Sequence, residues 1–120
     1  MHKFKAQKTT INGITFPSKL EASVYKLLLM RQASGEISDT KLQQAIVVKD
    51  RCPHCGDGPI VWKIDFSFTY NGQTAYAEAK GVATASYIKR LRLFKKNRTE
   101  RLEIWKGSWR NPAISEVINP

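Results

Sequence analysis

The chain has 120 residues, with 20 lysines and arginines against 10 aspartates and glutamates, giving a net charge of +10 at pH 7 and an isoelectric point near 9.9. That length suits one domain around a single core and is too short for two; no apolar run is long enough to span a bilayer, and the basic amino terminus leads into no signal-like apolar stretch. The positive surplus favours a polyanionic partner, most simply nucleic acid, and the expected setting is the cytoplasm, with no membrane partner.

Residues 1–16 carry Lys3, Lys5 and Lys8 ahead of "TTINGITF", where Asn12-Gly13 marks a tight turn, so the segment reads as a basic arm or a small hairpin. In "PSKLEASVYKLLLMRQASGEI", Leu20, Val24, Leu27 and Leu28 recur at helical spacing and Gly35 ends the helix. Residues 42–49, "LQQAIVVK", read as a strand, and "DRCPHCGDGP" as a loop. A hairpin follows at residues 60–80, then a helix from about Ser86 to Arg98, with Tyr87, Leu91 and Phe94 on one face. "RLEIWKG" at 101–107 reads as a last strand. Residues 107–120 read as a tail packed through Trp109, its two prolines limiting regular structure. The order helix, three strands, helix, strand predicts a mixed central sheet in an α/β or α+β fold.

The hairpin "KIDFSFTYNGQTAYAEAKG" carries the chemistry. A two-residue turn at Asn71-Gly72 sets Tyr70 opposite Gln73, Phe66 opposite Ala77 and Asp65 opposite Glu78; Lys63 falls opposite Lys80, on the same face as both acids. Directly opposed like charges destabilise a sheet. Either the acids and lysines form a solvated face of weak ion pairs, or the two carboxylates hold a hard divalent cation such as Mg²⁺, which takes oxygen ligands and substrate phosphate.

Other residues compete between roles. Ser18 to Glu21 spells S-x-x-E before an apolar run, which favours a capping box, yet Glu21 also borders the buried helix face and can turn towards the sheet. Cys52, His54 and Cys55 form a C-P-x-C-G turn like half of a zinc site. Structural zinc needs four ligands, and with no further cysteine and only His2 as another histidine, a complete site within one chain is not expected; a site shared by two subunits, a vestigial turn or a redox pair remain. On the second helix Lys89, Arg90, Arg92, Lys95, Lys96 and Arg98 have no acid among them, which points to nucleic-acid backbone contact, with Tyr87 as a stacking neighbour.

Glu21 in the first helix, Asp65 near one strand's end and "EAK" at 78–80 on the next resemble the PD-(D/E)XK nuclease superfamily, most closely small phage-borne members related to Holliday junction resolvases. "NGITFPSKLEASVY", "LQQ", "KIDFSFTYNGQTAYAEAKG" and the basic helix are similar to that family's successive blocks, over roughly residues 10–106. Ile64 stands where the motif's proline would be, and the Cys52–Cys55 loop is no general part of the pattern. The resemblance implies a restriction-endonuclease-like core and Mg²⁺ or Mn²⁺ held by Asp65, Glu78 and the Ala79 carbonyl, with Glu21 completing the shell. It implies that Lys80 orients the attacking water, that Gln43 or Gln44 helps position the site, and that a homodimer cuts branched DNA. A non-catalytic nucleic-acid-binding module and a zinc-binding adaptor are the alternative readings.

Overall fold

A computed structural model describes residues 8–81 and 83–120. Among them, strands β1 (Thr9–Ile11) and β2 (Ile14–Phe16) precede helix α1 (Lys19–Ala33). Strands β3 (Ile37–Lys49), β4 (Ile60–Tyr70) and β5 (Gln73–Ala79) follow, then helix α2 (Ala85–Asn97) and strands β6 (Arg101–Lys106) and β7 (Ala113–Ile118). The fold is α+β, with β1 and β2 as a separate hairpin and the rest in a mixed five-stranded sheet of order β3-β4-β5-β6-β7. Only β5 and β6 run parallel, and α2 makes the crossover that such a pair requires.

Local chemistry explains most boundaries. Asn12-Gly13 and Asn71-Gly72 all have positive φ, as two-residue hairpin turns demand. The Ser18 hydroxyl accepts from the Glu21 N–H at 3.1 Å and starts α1. Gly35, with φ +87°, ends it, as the Glu36 N–H reaches the Arg31 carbonyl at 2.9 Å and the Gly35 N–H reaches that of Gln32 at 3.1 Å, a Schellman closure.

The helices cover opposite faces. Val24 and Leu28 of α1 pack with Phe16, Phe66, Phe68, Ala77 and Trp105, and Leu20 and Leu27 lie partly buried against them. Tyr87 and Phe94 of α2 pack with Trp62, Ile64, Tyr76 and Ile104, the Trp62 ring meeting both α2 aromatics edge-on. No helix among the described residues is long and apolar enough to cross a membrane.

Three expectations are corrected. The region read as an irregular tail contains β7, antiparallel to β6 with Ile118 buried; Pro112 and Pro120 bracket the strand instead of interrupting it, and Trp109 is exposed. β3 begins at Ile37, five residues before the predicted start, because bulges absorb its turn-like residues. Lys63 does not pair across from Lys80: it faces Ala45 of β3 and is exposed. Of the segment 1–16, read as a basic arm or a small hairpin, residues 9–16 form the β1–β2 hairpin, and residues 1–7 lie outside the described residues.

Candidate active site

The β4–β5 ladder follows the register set by Asn71-Gly72 from Tyr70↔Gln73 to Phe66↔Ala77 and stops there. Beyond that point β4 continues only against β3, as in Gln44↔Ile64, and β5 only against β6, as in Glu78↔Ile104. The sheet therefore forks at Asp65 and Glu78. The Asp65 N–H donates to Glu78 Oε1 at 3.0 Å and the Ala79 N–H donates to Asp65 Oδ2 at 3.0 Å, so side chains take the place of the missing ladder bonds.

A change of face accompanies the fork. Ile64 packs under α2, whereas Phe66, two residues on, packs under α1, although strict alternation would send both to one side. On β3, Leu42 lies with the α1 cluster and Ile46 with the α2 cluster. Between them Gln43 has φ +53°, a left-handed conformation that strains a residue carrying a Cβ, and it stands at the register position of Asp65. Its Nε2 donates to Glu21 Oε2 at 3.4 Å. Gln44, in contrast, donates to the Leu42 carbonyl.

Only half of the predicted capping box forms, and the Glu21 carboxylate takes the sheet-facing role instead of reaching back to the cap backbone. Its backbone N–H serves the cap, while its carboxylate is buried against the sheet and bound by Gln43. Lys80 Nζ lies 4.0 Å from Glu78 Oε2 and 4.6 Å from the centre of the Tyr87 ring, so Tyr87 supports the lysine by a cation–π contact. Sequence reading offered Tyr87 as a stacking neighbour for nucleic acid, whereas the ring is buried between Trp62 and Lys80.

The electrostatics join these groups. Burial, then the charge of Asp65, pushes the Glu21 carboxyl up to about 7, against a lowering by Lys80. Burial and Asp65 likewise push Glu78 up to about 8, and burial raises Asp65 despite hydrogen bonds from Ala79 and Glu78. Burial and the Glu78 charge raise the Tyr87 hydroxyl to about 12. Three carboxyls thus share one lysine, and burial first, then repulsion from Asp65 at Glu21 and Glu78, favours the protonated forms.

Among the described residues, no three carboxylate, histidine or cysteine side chains are already arranged around a metal position. Asp65 and Glu78 nevertheless fit a hard cation. Each accepts a backbone N–H on one oxygen, the two carboxyls also meet each other in a contact that a cation would replace, and Mg²⁺ often uses only one or two carboxylates beside water and phosphate. An open groove of about 410 Å³ runs past Glu78 and Lys80 and is lined by Lys63, Thr84, Ser86 and Arg90.

On α2, Lys89, Arg92 and Lys96 are exposed. Arg90 donates to the Val61 carbonyl at 3.1 Å and contacts Ser86, and Lys95 pairs with Glu116 at 3.2 Å, so these two also hold the helix to its neighbours. Cys52, His54 and Cys55 lie in the β3–β4 loop and do not line the groove beside Glu78 and Lys80.

A family model described as "Protein of unknown function (DUF1064)" matches residues 1–112. The chain belongs to that family. No curated protein and no solved structure matches it. The family description assigns no activity, so the functional reading of this DUF1064 member rests on its own residues.

Proposed function

We propose that the protein is a metal-dependent endodeoxyribonuclease of PD-(D/E)XK type, acting as a homodimer on branched DNA such as a four-way junction. The observation that carries this reading is the fork itself. A strained β3 residue and two parted strands bring Glu21, Asp65, Glu78 and Lys80 together where the sheet gives up ladder bonds. The run α1-β3-β4-β5-α2-β6, an antiparallel meander and then a parallel crossover, supports a restriction-endonuclease-like topology.

In this mechanism Asp65 and Glu78 would hold Mg²⁺ or Mn²⁺ with the Ala79 carbonyl, and Glu21 would complete the shell. When bound, the ion supplies Lewis-acid polarisation of the phosphodiester and a more acidic water. Lys80, held over Tyr87, would orient the attacking water and offset the charge developing on the phosphate. Gln43 holds the Glu21 carboxylate in place. Lys89, Arg92 and Lys96, with the lysines and Arg90 of the groove, bind flanking phosphates in a salt-dependent way. Two-fold symmetry suits paired cuts in a junction.

One observation favours a second reading, a non-catalytic nucleic-acid-binding module. The reciprocal bonds of Asp65 and Glu78 to backbone N–H groups satisfy both residues in a structural role. Incubating a labelled four-way junction, linear duplex and single strand with wild type and Asp65→Asn, in Mg²⁺, Mn²⁺ or EDTA, separates the two. Paired, metal-dependent cuts in the junction, lost in the variant, support the nuclease. Binding of the junction with no cutting in any metal leaves the module.

A further inference from the structure

The β3–β4 loop carries a second constellation that the carboxylate site does not use. Cys52 and Cys55 are free thiols, Cys52 half-buried and Cys55 exposed. The loop is folded tightly around the first of them. The Cys55 N–H points at Cys52 Sγ from 3.4 Å, the Gly56 N–H closes on the Cys52 carbonyl at 3.0 Å, and the Cys52 N–H bonds the Asp57 carbonyl at 2.9 Å. Gly56 has φ +78°, the left-handed conformation that lets the chain turn back beneath the sulfurs. The Cys55 thiol and the backbone N–H groups of Cys55 and His54 lower the Cys52 thiol to about 7. Two adjacent sulfurs, one served by backbone donors, present a soft ligand pair suited to Zn²⁺.

The pair is half of a cage. Zinc in structural sites takes four ligands in a tetrahedron, and no third histidine, cysteine or carboxylate among the described residues joins these two. A second feature of the same arm indicates the source of the other half. Val47 and Val61, cross-strand partners on β3 and β4, are 38% and 43% exposed on the face turned away from Ile46, Val48 and Trp62, which bury under α2. β3 is also an edge strand of the sheet. An apolar pair beside a half-complete thiolate site is the arrangement a self-complementary contact would cover, because a two-fold axis supplies the same two features again.

We propose that the β3–β4 loop is a zinc half-site completed by the same loop of a second copy of this chain. Cys52 and Cys55 of both copies then ligate one Zn²⁺, each thiol losing its proton on ligation, while the Val47 and Val61 pairs pack together. This inference does not depend on the nuclease reading, and cleavage is not among its readouts.

The test uses the full chain, reduced, stripped with EDTA and titrated with ZnCl₂. Bound zinc is measured by mass spectrometry after gel filtration, and molar mass by light scattering. The expected result is about one zinc per two chains, with dimer formed on zinc addition. Cys52→Ser and Cys55→Ser should each lose the zinc and weaken the dimer at least about a hundredfold. Val61→Lys, with its thiols intact, should lower zinc and dimer together, and circular dichroism confirms that all three variants fold. One zinc per chain in a monomer would overturn the proposal, as would no retained zinc, or a dimer of equal strength in EDTA.

Discussion

Two glutamates lie one residue apart in register on neighbouring strands and are treated in opposite ways. Glu103 of β6 sits beside Ala77, and Glu78 of β5 sits beside Ile104; their exposures are 0% and 5%. Glu103 faces α1 and accepts from both terminal nitrogens of Arg31 at 2.8 and 3.0 Å, from Arg101 Nε at 3.1 Å and from Trp105 Nε1 at 3.2 Å. Glu78 faces α2 and has a backbone N–H, a lysine at 4.0 Å and a second carboxylate as neighbours. The protein can neutralise a buried acid on this sheet, and does so with two guanidinium groups. At the fork it does not, and the divalent cation proposed for the site would fill that deficit.

Changing each acid in turn separates the two environments most directly. Asp65→Asn, Glu78→Gln and Lys80→Ala should each reduce metal-dependent junction cleavage by about a thousandfold or more while leaving the chain folded. Glu103→Gln should act on stability, costing about 3–5 kcal/mol in urea denaturation, because Arg31 and Arg101 lose the charge that compensates them. If Glu103→Gln proved neutral while Glu78→Gln unfolded the protein, the assignment of structural and functional acids would be reversed.

A smaller effect should separate two sets of cations on α2. Lys89, Arg92 and Lys96 are exposed and without an ion pair among the described residues, whereas Arg90 and Lys95 have partners in β4 and β7. Reversing the first three to glutamate should weaken DNA binding about tenfold or more and flatten its salt dependence, by up to about 0.9 in log–log slope for each phosphate no longer neutralised. Lys95→Ala should change stability by less than about 1 kcal/mol, as expected for an exposed pair. Anisotropy titrations at several KCl concentrations would show the first effect and urea denaturation the second; unchanged affinity in the triple variant would move the DNA-binding surface elsewhere.

Element order was legible because periodicity and turn chemistry agree along most of the chain. Asn71-Gly72 gives the correct register as far as Phe66↔Ala77, and the spacing of Val24 and Leu28 gives the buried face of α1. The reading failed where the backbone leaves its usual conformation. Nothing in "LQQA" announces a positive φ at Gln43, since glutamine seldom adopts one, so the fork and the exchange of faces were hidden. Extending the register past that point misplaced Lys63. The S-x-x-E spacing predicted the cap but not that Gln43 would hold the glutamate's carboxylate, and Pro112 and Pro120 suggested irregular chain where they delimit β7. The four candidate site residues were visible as residue types, whereas their convergence depends on long-range pairing.

The last expected effect is thermal, and its sign distinguishes an uncompensated acid from a satisfied one. With Glu78 raised from 4.5 to about 8 and Glu21 to about 7, the folded protein keeps protons through that window that the unfolded chain has already released. Stability falls with rising pH wherever the folded state binds more protons, so these groups should lower the melting temperature by several degrees between pH 5 and about 8 in metal-free buffer. Glu78→Gln should shrink that fall. Mg²⁺ competes with the same protons, so it should raise the wild-type melting temperature more at pH 8 than at pH 5, and do so less in Glu78→Gln. Scanning calorimetry at both pH values, with and without Mg²⁺, measures these shifts in wild type and variant. A melting temperature that rises with pH, or an equal Mg²⁺ shift in wild type and variant, would mean that the carboxylates at the fork are as well satisfied as Glu103.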